Sequence, residues 1–104
     1  MRQRITINNL KALCDRLNEV TGSPMQAWSK GADGKHRANI GNYHISQAYG
    51  GYCLHRMHNE GGGIMCPLSM GHIPARELYE SMQAFLSGLE YGRALQAVNA
   101  GGKL

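Results

Sequence analysis

The sequence predicts an α+β fold, with two amphipathic helices laid on one face of a three-stranded antiparallel sheet in the order α-β-β-β-α. Apolar residues recur at helical spacing near both ends of the chain, the period shortens to two in the Ile- and Tyr-rich middle, and Gly and Pro clusters fall at the boundaries. At 104 residues the chain forms a single domain, 1–104. Hydrophobic residues make up 42% and charged residues 17%, too apolar and too weakly charged for a disordered segment.

Leu10, Leu13, Leu17 and Val20, with Cys14 beside them, form one stripe of a helix over about 8–21. Asn8 or Asn9 can cap its start, and Gly22 followed by Pro24 stops it. A first strand is expected at about 25–30, followed by a turn at Gly31, Ala32, Asp33 and Gly34. Two longer strands are expected at about 37–46 and 49–59, joined through Gln47 and Ala48. Alternation along the first of these puts Tyr43 and Ile45 on one face and His44 and Ser46 on the other. In the next, Tyr52, Leu54 and Arg56 alternate with Cys53, His55 and Met57. Residues 64–72 read as an apolar loop. Pro74 at a first helical position and Glu77 in a first turn then open a second helix at about 74–90. Its pattern allows continuation through Ala97, and a frayed tail is expected over 98–104.

The formal net charge is +4. Lys30, Lys35, Arg37 and Arg56 stand against Asp33 in the middle, whereas Glu60, Glu77, Glu80 and Glu90 stand against Arg76 further on. An anionic partner should therefore meet the middle. Cys14, Cys53 and Cys66 are an odd set with no CxxC pair, which favours reduced thiols in a cytoplasmic protein over a disulfide framework. The N-terminus lacks the apolar core of a signal peptide, and no apolar run suits a membrane span.

Of the 14 glycines, seven fall between positions 41 and 71, interleaved with Tyr, His and Arg. This stretch is the candidate ligand site. Tyr43, His44, Tyr49, Tyr52, His55 and Arg56 supply flat rings that stack on a base and a guanidinium that forks onto phosphate. Asn59 and Glu60 flank them, and backbone amides of Gly50, Gly51, Gly61, Gly62 and Gly63 can assist as an anion nest. The glycine run is followed by neither Lys-Ser/Thr nor a helix, so it is no P-loop.

His55 and His58 make an HxxH pair with Cys53, Cys66 and His72 nearby. Residues three apart on a strand point to opposite faces, so HxxH here is not read as a metal site, and no cofactor is expected. A hydrolase would need His55 or His58 as base beside Glu60 or Arg56. No carboxylate cluster or nucleophile elbow accompanies them, and the expectation is a non-enzymatic binding protein.

The element order resembles the double-stranded-RNA-binding domain over about residues 8–90. That resemblance implies duplex binding through helix 1, a hairpin loop and a lysine cluster opening helix 2. Here helix 2 opens Pro74-Ala75-Arg76-Glu77, with one base and one acid. The run Gly41-Asn42-Tyr43-His44, Ala48-Tyr49-Gly50-Gly51, Leu54-His55-Arg56, Asn59-Glu60-Gly61-Gly62-Gly63 also resembles small accessory proteins of bacteriophages and prophages. That class implies an anti-defence role in the host cytoplasm, in which a small homo-oligomer acts as a sponge for a nucleotide signal. The alternatives are nucleic-acid binding and inhibition of a host protein through the apolar loop at 64–70.

Overall fold

The computed structural model describes residues 4–100. It shows an α+β domain built from helix α1 (Ile7–Thr21), strands β1 (Trp28–Lys30), β2 (His36–Ala38), β3 (Tyr43–Ala48), β4 (Gly51–Met57) and β5 (Ile64–Met65), and helix α2 (Ala75–Ala100). β3, β4 and β5 form an antiparallel three-stranded sheet in that order, and β1 and β2 form a separate two-stranded hairpin.

α1 starts one residue before the expected position. Thr6 is the N-cap, and the Asn9 side chain reaches back to accept the Thr6 N–H at 2.8 Å. The helix stops at Gly22 in the left-handed region, where the Ser23 N–H returns to the Asn18 carbonyl at 2.9 Å. α2 outruns its expected end and takes in residues 98–100, which were expected to fray. Ala94, Leu95, Gln96 and Ala97 favour helix, and the next breakers are Gly101 and Gly102. The rest of the expected tail, 101–104, lies outside the described residues.

The sheet has three strands, but not the three expected. The segment 25–30 shrinks to β1 and pairs only with β2. The expected strand 37–46 breaks into β2 and β3, because 39–42 form a turn closed by the Asn42 N–H on the Asn39 carbonyl at 3.1 Å. Gly41 holds φ 94° in that turn, a value that side-chain-bearing residues avoid. The expected 49–59 strand contracts to β4. The β3–β4 connection is Tyr49 and Gly50, both at positive φ, rather than Gln47 and Ala48, which pair with Tyr52 and Gly51. The third strand is β5, inside the segment read as a loop.

The core lies between the helices and one face of the sheet. Leu10, Cys14 and Leu17 from α1 meet Tyr43 and Leu54 from the sheet and Leu78 and Met82 from α2. Burial and the adjacent Asp15 carboxylate push the Cys14 thiol up to about 12, so it behaves as an apolar side chain. Asn18 is buried yet fully used: its Oδ1 accepts the Tyr43 N–H at 2.8 Å and its Nδ2 donates to the Tyr43 carbonyl at 3.0 Å. One amide thereby fastens α1 to the outer edge of β3. Arg93 of α2 donates to the Val20 carbonyl and closes the helix pair. Among the described residues, no helix is long and apolar enough to cross a membrane.

Candidate functional site

Strand alternation divides the expected site between two faces. Tyr43, Ile45, Tyr52 and Leu54 turn toward the helices. The Tyr43 ring packs edge-on against Phe85, with centroids 6.2 Å apart. Its cross-strand partner Arg56 lays its guanidinium over that ring, 5.6 Å from the centroid. Tyr43, Tyr52 and Arg56 are therefore committed to the helix-facing side.

The other face carries His44 opposite His55 and Ser46 opposite Cys53. The His44 and His55 rings meet edge to face, with centroids 5.4 Å apart. His72 joins them from the chain beyond β5, its ring 6.2 Å from that of His55 and 5.8 Å from Tyr49. Tyr49, at the tip of the β3–β4 turn, is 97% exposed.

The chain beyond β5 reaches this face because both ends of its excursion are pinned. Met65 pairs with Arg56, and Ile73 bridges Tyr52 through two backbone bonds of 2.8 Å. Residues 66–72 leave the sheet edge between these anchors. Gly51 makes the second anchor possible, since a Cβ there would lie 3.0 Å from the Ile73 carbonyl oxygen. The excursion delivers Cys66, Ser69 and His72 to the sheet. His72 Nε2 is 2.9 Å from Ser46 Oγ, and Ser69 Oγ is 3.6 Å from Cys53 Sγ.

Proton positions follow from partners. Asn42 donates its amide N–H to the Pro24 carbonyl at 2.9 Å, which leaves its Oδ1 facing His44 Nδ1 at 3.1 Å. That oxygen only accepts, so His44 carries its proton on Nδ1 and offers the Nε2 lone pair. Burial lowers the His44 pKa below its usual range. Burial also lowers that of His55, and the charges His44 and His72 would carry lower it further. These two imidazoles are neutral at pH 7.

The remaining expected residues stand apart. The β4–β5 turn is self-satisfied: the Gly62 N–H donates to the Asn59 carbonyl at 3.2 Å and the Gly63 N–H to Asn59 Oδ1 at 2.9 Å. Neither amide is left for an anion. Gly62 instead lies under the Trp28 indole, where a Cβ would come within 2.8 Å of the ring. Glu60 faces Arg37 at 3.9 Å, and Arg37 is already held by Asp33 at 2.7 Å. His58 lies beyond β4, its N–H bonded to the Gly63 carbonyl at 2.8 Å. Of the expected set, His44 and His55 meet directly, four residue pairs back from the Tyr49–Gly50 turn, and Tyr49 at that turn is linked to them only through His72.

Cys53, Cys66, Ser46 and His72 belong to the same face. Strand parity alone pairs Cys53 with His55 and Ser46 with His44. No local pattern could place Cys66 and His72, because the Ile73 bridge that returns the chain is a long-range contact. No family model, curated protein or solved structure matches this chain.

Proposed function

We propose that the chain is a non-enzymatic, phage-type binding protein that sequesters a small nucleotide-like anion in the host cytoplasm. The observation that supports this reading is the histidine face. His44, His55 and His72 stand edge to face beside the exposed ring of Tyr49, on the side of the sheet that carries no helix. Neutral imidazoles present lone pairs and N–H groups to a base, and Tyr49 supplies a stacking plane. The net charge of +4 favours an anionic ligand. His44, His55 and His72 are half-buried and Tyr49 is exposed, which leaves room for completion by a second copy.

Calorimetric titration with cyclic dinucleotides and with ADP-ribose tests the reading. Wild type should bind one of them, and Tyr49→Ala should weaken binding by roughly tenfold, the scale of one lost stacking contact. His55→Ala should weaken it as well. Arg56→Ala should leave it unchanged, because Arg56 is engaged over Tyr43 on the other face. Absence of binding, or affinity indifferent to both Tyr49→Ala and His55→Ala, overturns the proposal.

The exposed hairpin with Lys30 and Lys35 supports a second reading, a nucleic-acid contact. It requires affinity that falls steeply with salt. The third reading, a host-protein contact, draws on the exposed Ile64, Met65 and Met70. It requires a partner recovered by wild type and lost with Met70→Asp, since Leu68 packs against the core.

A further inference from the structure

We propose that Cys53, His55 and Cys66 form a binding site for a zinc-class divalent cation. Their ligand atoms lie within 4.8 Å of one another, and this is the one such group of three among the described residues. The inference rests on a different observation from the nucleotide reading, although the two share His55.

The donor set is chemically selective. Two thiols and one imidazole suit zinc, which takes sulfur and nitrogen ligands in a tetrahedron, and they suit magnesium or calcium poorly. A zinc–sulfur bond of about 2.3 Å places two tetrahedral sulfurs roughly 3.8 Å apart. Donors spaced within 4.8 Å therefore need only a small contraction. Cys53 and His55 are two apart on β4, so strand parity presents both on one face. Cys66 follows β5 directly and sits at the start of the pinned excursion. Two anchors of fixed backbone and one of loop leave enough freedom for that contraction.

The electrostatics agree. Two thiolates side by side repel, and a divalent cation removes that repulsion. On binding, each thiol transfers its proton to solvent and its sulfur lone pair forms the metal–sulfur bond. The site gains two positive charges with the metal and loses two with the protons. His55 contributes a neutral ring nitrogen. Water or a neighbouring imidazole completes the tetrahedron. His44 and His72 both flank the His55 ring.

The test is native mass spectrometry of full-length protein kept under a thiol-free phosphine reductant and titrated with zinc. One zinc per chain is expected, with two protons released. Cys66→Ser and His55→Ala should each abolish it, whereas Cys14→Ser and His58→Ala should retain it. Cys66 is exposed, so Cys66→Ser is not expected to disturb folding, and circular dichroism checks this. With cobalt in place of zinc, a near-ultraviolet thiolate-to-metal band and intense visible bands should appear. No bound zinc, zinc that survives Cys66→Ser, or only the weak bands of octahedral cobalt overturns the site. So does a chain that loses two mass units in air, forms a Cys53–Cys66 disulfide, and takes no zinc after reduction.

Discussion

Along β3 and β4, successive residues belong to two different environments. On the helix side, Leu54 is 1% exposed, Ile45 packs beside it, and the charged Arg56 is stacked on a ring. On the other side, Ser46, Cys53, His44 and His55 stand together without a helix over them. The first face explains why the sheet forms at all, because burying apolar area is what offsets the entropy of ordering the chain. The second face also buries Cys53 and Met57, and beside them it gathers half-exposed imidazoles at the cost of partial desolvation, the pattern expected where a surface also serves a ligand.

The largest test of this contrast is a neighbouring pair on β4. Leu54→Ala should lower unfolding stability by about 2–5 kcal/mol, read as a shift of the urea midpoint at unchanged slope. His55→Ala, the next residue along, should stay within about 0.5 kcal/mol in metal-free buffer. Equal losses would make the histidine face structural and erase the distinction.

Asn18→Ala comes next, at about 1–3 kcal/mol, since it leaves the Tyr43 N–H and carbonyl without their buried partners. The loss should appear in the stability of α1 against β3, followed by hydrogen exchange of the Tyr43 amide. Zinc binding by the folded protein should be unaffected. A loss of zinc without a loss of stability would mean that the two faces are coupled.

Gly51→Ala should act unequally on the two faces. Its Cβ would press on the Ile73 carbonyl and loosen the bridge that returns residues 66–72 to the sheet. A cost of about 1–3 kcal/mol is expected, from overpacking against backbone. The exchange protection of the Tyr52 and Ile73 amides should fall. Binding of a ligand that contacts His72 should fall with it, while protection within α1 persists. Uniform loss of protection across both helices would show that the bridge belongs to the core instead.

The helix face was legible in the sequence because it depends on short periods. Leu10 and Leu17 announce themselves at a spacing of seven, Leu78 and Met82 at a spacing of four, and Leu54 by strand alternation. The sheet's membership was not legible, because two features run against local reading. Gly41 reads as a strand glycine and is part of a turn, so one expected strand becomes β2 and β3. Ile64 and Met65 looked like loop and are a strand, because two residues carry no period and their pairing with Arg56 and Met57 is set by the Asn59 turn. The site was half legible for the same reason. His44, Tyr49 and His55 lie within one hairpin and could be grouped by eye, but the grouping ignored parity and added Tyr43, Tyr52 and Arg56. Cys66 and His72 arrive through the bridge at Ile73, which no neighbouring residues encode.

The smallest expected effect is the dependence of stability on pH, and it separates the faces most cleanly. The His44 and His55 pKa values lie below the ordinary histidine value of 6.5 in the folded chain, chiefly through burial. The unfolded chain therefore takes up protons first as pH falls, and the folded state is penalised below pH 6.5. Stability should be level above that pH and should decline below it, by less than any substitution above, because both rings are partly solvated. In the double variant His44→Ala, His55→Ala the decline between pH 7 and pH 5.5 should flatten, whereas Leu54→Ala should lower the whole curve and keep its slope. A nucleotide-like anion should reverse the trend in wild type, since protonating these imidazoles strengthens its binding. If wild type and the double variant decline alike, carboxylates elsewhere set the acid limb, and the histidine face does not titrate with folding.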